Sequence, residues 1–137
     1  MYLIFSVLLQ LQASWIAAFA GGVFDGTAES LKWHYSSFQT RFPKANPNYW
    51  NPEISWTNKY KNGNPADGVK YFGSTTFLTF TTDGYHLMRT GRNAAFMTSL
   101  VLYRREKKKW YKYVLDAAAH LFAYQVGFHL TYSAVLK

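Results

Sequence analysis

Apolar and polar positions segregate along this chain on a coarse scale. Met1 to Phe24 carries no charged side chain, and Asp25 is the first. Ala117 to Leu136 again contains no Asp, Glu, Lys or Arg. Between them, FLTFTTDGYHLMRTGRNAAFMTSLVLY (Phe77–Tyr103) is apolar at both ends and carries Asp83, His86, Arg89 and Arg92 at its centre. Uncharged runs of roughly 20 residues match the ~30 Å hydrocarbon thickness of a bilayer at ~1.5 Å per helical residue. The pattern predicts an all-α protein, a small transmembrane bundle of about three helices in one membrane domain. The first helix is expected at about residues 2–36, the second at about 74–104 with Ser74 or Thr75 as N-cap, and the third at about 110–136.

The segment between the first two helices reads differently. Residues 39–72 hold all four prolines and a series of Asn-Pro and Asn-Gly signals, as in NPNYWNPEISWTNKYKNGNPADG. The residue before a proline is pushed out of the αR region, which excludes a long helix here. Tyr49, Trp50, Trp56 and Tyr60 are too many rings for a solvated linker. They predict an ordered extramembrane lid with its rings in the headgroup layer.

Charge then sets the expected topology. The formal net charge is +8, and Arg104–Lys112 (RREKKKWYK) packs six basic residues into nine positions. A basic loop between apolar runs is what the positive-inside rule expects on the cytoplasmic side. It places the N-terminus inside, with residues 39–72 and the C-terminus outside, in a bacterial inner membrane. The same clustering leaves little of the charge to argue for nucleic acid. Ala18-Phe19-Ala20 resembles a signal-peptide cleavage site, but no basic region precedes it, and a retained helix is expected. The chain has no cysteine, which excludes disulfides and thiolate metal sites.

A charged centre in the second helix is costly against lipid, at least ~2.5–3.5 kcal/mol per residue on insertion scales, so it predicts partners or a wet cavity. Asp83/His86 (i,i+3) and Asp116/His120 (i,i+4) each share a helix face, a spacing that lets a carboxylate share a metal with the imidazole or fix its tautomer. Glu29, Asp83 and His86 are the candidate acid/base residues. Asp83, His86 and His129 are candidate ligands of a divalent metal, and Arg89, Arg92, Trp50 and Trp56 are candidate substrate-binding groups. Structural readings stand beside these: an ion network for Asp83 with the arginines, an interfacial pair for Asp116/His120, and helix packing for His129. No HExxH, G-x-S-x-G or glycine-rich phosphate loop is present.

NPEISWTNKYKNG followed by FGSTTFLTFTTDGYHLM resembles a signature of small uncharacterised integral membrane proteins of Bacteroidota such as flavobacteria. The likeness runs from about His34 to Met88 with the flanking hydrophobic helices. It implies a membrane protein of bacterial or bacterial-virus origin and brings no activity with it. Two functions are expected of the residues themselves. One is a site between helices acting on lipids or lipid-linked groups, with or without a metal. The other is a non-enzymatic structural or assembly subunit whose polar core holds helices together and whose lid meets an oligomer or partner protein.

Overall fold

The computed structural model describes residues 2–103 and 107–136, with side chains from residue 13 onward. Its described residues form an all-α fold. Helix α1 (Tyr2–Trp33) is followed by α2 (Tyr35–Arg41), two single-turn helices α3 (Pro47–Trp50) and α4 (Pro52–Ser55), and the long helices α5 (Gly84–Leu102) and α6 (Trp110–His129). A π-helical stretch, Leu130–Val135, extends α6.

The Asn-Pro signals resolve into helix starts. Asn46, Asn51 and Asn64 each accept a hydrogen bond from the backbone N–H two residues on, and the proline between occupies the first helical position. Each asparagine satisfies a free N–H of the first turn, and proline has no N–H to lose there. Asn51-Pro52 stops the first of these turns and Gly68 the last, while α4 runs on into a 3-10 turn at Trp56–Lys59. Hydrogen bonds tie this segment to itself and to the residue before the α5 cap. Asn58 donates to the carbonyls of Asn48 and Thr82, and Tyr60 pairs in an isolated bridge with Val69.

The second long helix begins ten residues later than the sequence suggests, at Gly84 rather than Ser74. Its N-cap is Asp83, whose carboxylate accepts from His86 N at 2.8 Å. Residues 74–82 spend their hydrogen bonds on turns and a short 3-10 helix, Thr79–Thr81, with the Thr79 and Thr82 hydroxyls returned to nearby carbonyls. Threonines that bond their own backbone compete with helix formation.

Helix α1 is the axis of the fold. Helices α5 and α6 each pack along it and make few contacts with one another. The seams are filled by small residues. A Cβ on Gly22 would lie 2.0 Å from the Tyr124 carbonyl oxygen, and one on Gly127 would lie 2.2 Å from that of Phe19. Backbones at this separation tolerate no side chain, so glycine is required on both sides. Ala18, Ala28, Ser14, Ser30 and Ser99 are buried beside them. Leu31, Phe38 and Leu136 form the small apolar core, with Trp50 and Met88 against it.

The expectation of membrane-spanning helices, and with it that of an integral inner-membrane protein of fixed topology, is corrected here. Among the residues described with side chains (13–103 and 107–136) no helix is long and apolar enough to cross a membrane. The late start of α5 leaves 19 residues, with His86, Arg89, Arg92 and Asn93 in its first half. The part of α1 described with side chains, residues 13–33, contains Asp25, Glu29 and Lys32, and α6 contains Lys112, Asp116 and His120. Of the predicted basic loop, Arg104, Arg105 and Glu106 lie outside the described residues.

Candidate functional site

Polar groups meet α1 at three levels. Near residue 14, the Ser99 hydroxyl donates to the Ser14 carbonyl at 2.9 Å, and Ser14 Oγ meets His120 Nε2 at 3.0 Å. His120 Nδ1–H donates to the Asp116 backbone carbonyl at 2.7 Å, which leaves Nε2 for the serine. The Asp116 carboxylate is taken by Lys108 Nζ and Tyr103 OH, both at 2.8 Å. Lys108 foremost holds this carboxyl below the usual carboxylate range, while burial and Asp116 push the Tyr103 phenol up. Asp116 and His120 therefore share a helical turn without pairing through their side chains.

The middle level joins all three long helices. Arg92 Nη1 donates to Asp25 Oδ1 at 2.9 Å, and Tyr124 OH donates to Asp25 Oδ2. Burial, with the Asp25 charge, pushes the Tyr124 phenol up to about 12. One turn along, Arg89 lies 3.6 Å from Glu29, which also accepts from Trp33 Nε1. Arg92, a candidate substrate-binding group, is thus engaged by Asp25 within the fold. The guanidinium reaches inward because Asp25 would otherwise be a half-buried carboxylate with only a phenol for a partner.

The third level lies beside the aromatic segment. Both oxygens of Asp83 accept from His86 Nδ1, at 2.8 and 2.9 Å, and Thr82 Oγ1 donates to one of them at 3.2 Å. Asp83 is 2% exposed, and burial, with the nearby Asp83 charge second, raises the Tyr49 phenol. Nδ1 is committed to Asp83, so Nε2 is the imidazole nitrogen free to act on anything beyond. Trp50 closes over α5 at Gly84, where a Cβ would lie 2.3 Å from its ring, and Trp56 lines a pocket with His86.

The predicted site residues are therefore distributed rather than gathered. Asp83 and His86 form a dyad; Glu29 and Arg89 pair nearby; Arg92 belongs to the Asp25 level. His129 stands apart from the dyad's partners, its Nδ1 meeting Ser133 Oγ at 3.4 Å. Among the described residues no three His, Cys, Asp or Glu side chains come together as a metal site, which corrects the expected Asp83, His86 and His129 ligand set. Sequence reasoning missed Tyr124, Ser55 and the glycine seam. The spacing Gly22-x-x-x-Gly26 was the available signal for the last. His34 Nε2 lies 2.9 Å from Tyr132 OH.

No protein-family model, no curated protein and no solved structure matches this chain. Its function rests on its own geometry, and the family resemblance on the quoted words alone.

Proposed function

We propose that this protein is a non-enzymatic assembly subunit: its polar levels lock three helices together, and further copies of the same chain cover its apolar faces. The observation that carries this reading is the inversion of large and small side chains. The seams hold glycine, alanine and serine, while Phe96, Met97, Leu100 and Val101 of α5 and Trp110, Val114, Leu115, Leu121 and Phe122 of α6 are exposed. Val101 is 80% and Phe122 71% exposed. A protein that works alone in water rarely presents an apolar surface spread over two helices. Packing of α5 and α6 on α1 rather than on each other leaves both faces open. Between Ala94 and Tyr103 there is no charged residue, so a like copy meets no repulsion there.

Sedimentation of the purified chain in detergent-free buffer tests the reading. The expected species is a multiple of the 15.8 kDa chain. Val101→Glu and Phe122→Glu, both at exposed positions, should each shift it to monomer with the helical signal intact. A stable monomer at roughly 100 μM, above the weak-association range, would overturn the proposal. So would a single chain that enters lipid vesicles and never self-associates.

A further inference from the structure

The end of the aromatic segment, residues 59–77, forms a lobe whose outer side chains do nothing for the fold. Each of residues 61–72 is exposed. Phe72 is 85% and Phe77 63% exposed, and their rings meet edge to face with centroids 5.7 Å apart. A single exposed ring calls for no explanation, but two rings fixed side by side on an exposed turn do. The turn is held by other groups. Gly73 has φ +85°, and a Cβ there would lie 2.9 Å from the Phe77 ring. Buried Ser74 donates its hydroxyl to the Lys59 carbonyl at 2.8 Å, and the Tyr71 hydroxyl pairs with that of Thr81. The rings are thus presented by a backbone already in place, so covering them needs little further ordering.

The same lobe gathers cations. The bridge between Tyr60 and Val69 sets Lys70 beside Lys59, with the Lys70 N–H on the Lys59 carbonyl at 2.9 Å and the Lys61 N–H on the Gly68 carbonyl at 3.0 Å. The Ser74 bond to the Lys59 carbonyl brings the phenylalanine turn against this group. None of the three lysines has a carboxylate partner among the described residues. Asp67, the one acidic residue between Glu53 and Asp83, has its oxygens on the Asn62 and Asn64 amides. We infer that this lobe docks on an anionic lipid surface, Phe72 and Phe77 entering the headgroup layer while Lys59, Lys61 and Lys70 meet the phosphates. Charge decides the partner. A second copy of the chain would bring the same lysines and be repelled, whereas a bilayer with negative lipids supplies the countercharge and an apolar layer that takes a ring. Long lysine side chains reach the phosphates while the rings sit deeper. Contact made by a turn needs no spanning helix, and it uses none of the apolar residues exposed on α5 and α6.

Flotation of the purified full chain with vesicles is the test, using phosphatidylcholine alone or mixed in equal parts with phosphatidylglycerol. Binding to the mixed vesicles should be at least about 10-fold the stronger and should weaken as salt is raised. Phe72→Ser should weaken it by about 5-fold or more, as should Lys61→Gln with Lys70→Gln, since one basic residue near an anionic surface is worth about that factor. All three positions are exposed, so the melting temperature should not change. No binding to the mixed vesicles, equal binding to both kinds, or unchanged binding of folded Phe72→Ser would each overturn the inference. So would tighter binding of a single-stranded oligonucleotide than of the mixed vesicles. Loss of the oligomer in Phe72→Ser, read by sedimentation without lipid, would make the lobe a contact between copies and overturn it as well.

Discussion

Arg92 on α5 reaches Asp25 on α1 with an Nη1–Oδ1 distance of 2.9 Å, and the same carboxylate accepts from Tyr124 on α6. One side chain of the axial helix thus holds both flanking helices, which touch each other little. The side chains are 26% and 14% exposed, so the pair is partly shielded from water and from salt. Arg92→Leu and Asp25→Asn should each destabilise the fold by roughly 1–3 kcal/mol, the range for charged hydrogen bonds. A double-mutant cycle by urea denaturation should give a coupling energy well above that of an exposed ion pair. Coupling near zero would show that the helices are held by other contacts.

The Tyr124 phenol gives this level a pH signature. Its folded pKa of about 12 lies above the ordinary value of 10.0. The folded state therefore keeps a proton that the unfolded chain releases. The stabilisation is complete below pH 10 and fades as pH rises towards 12. Melting temperatures should fall over that window in the native chain, and the fall should be shallower in Tyr124→Phe. Equal slopes in the two proteins would remove Tyr124 from the explanation.

Two neighbouring glycines separate close packing from helix propensity. A Cβ at Gly22 meets the Tyr124 carbonyl at 2.0 Å, whereas one at Gly21 meets nothing nearer than 3.6 Å. Gly22→Ala should force α6 off α1 and cost more than about 3 kcal/mol, beyond ordinary overpacking. Gly21→Ala should be neutral or stabilise by up to about 1 kcal/mol, since alanine is the better helix former. Thermal melts followed by circular dichroism distinguish them; similar losses in both would contradict the seam.

Asp83 serves the helix cap and the imidazole together. Asp83→Ala should cost roughly 2–4 kcal/mol, combining a lost N-cap with unpaired buried donors. His86→Ala should cost less, because the cap survives. Asp83→Ser should recover part of the loss by capping α5 without fixing His86. Denaturant midpoints in the order native, His86→Ala, Asp83→Ser, Asp83→Ala are expected, and a reversal of the last two would refute capping by this residue.

What the sequence determined by itself is local. Its three long helices, the irregular proline-containing segment and the pairing of Asp83 with His86 follow from periodicity, proline chemistry and i,i+3 spacing, all of which act within a few residues. The start of α5 eluded it because Thr79, Thr81 and Thr82 turn their hydroxyls back onto nearby carbonyls, and the cap falls to Asp83, a side chain buried by other segments. The pairing of Arg92 with Asp25 was hidden by a separation of 67 residues. So was the division of His129 from the dyad, since a helix pattern records which face a residue occupies but not which helix that face meets. The reading of apolar runs as membrane spans failed for a related reason. Hydrophobicity specifies that a surface is withdrawn from water, and only the packing of small residues against α1 decided which apolar surfaces were covered and which stayed exposed.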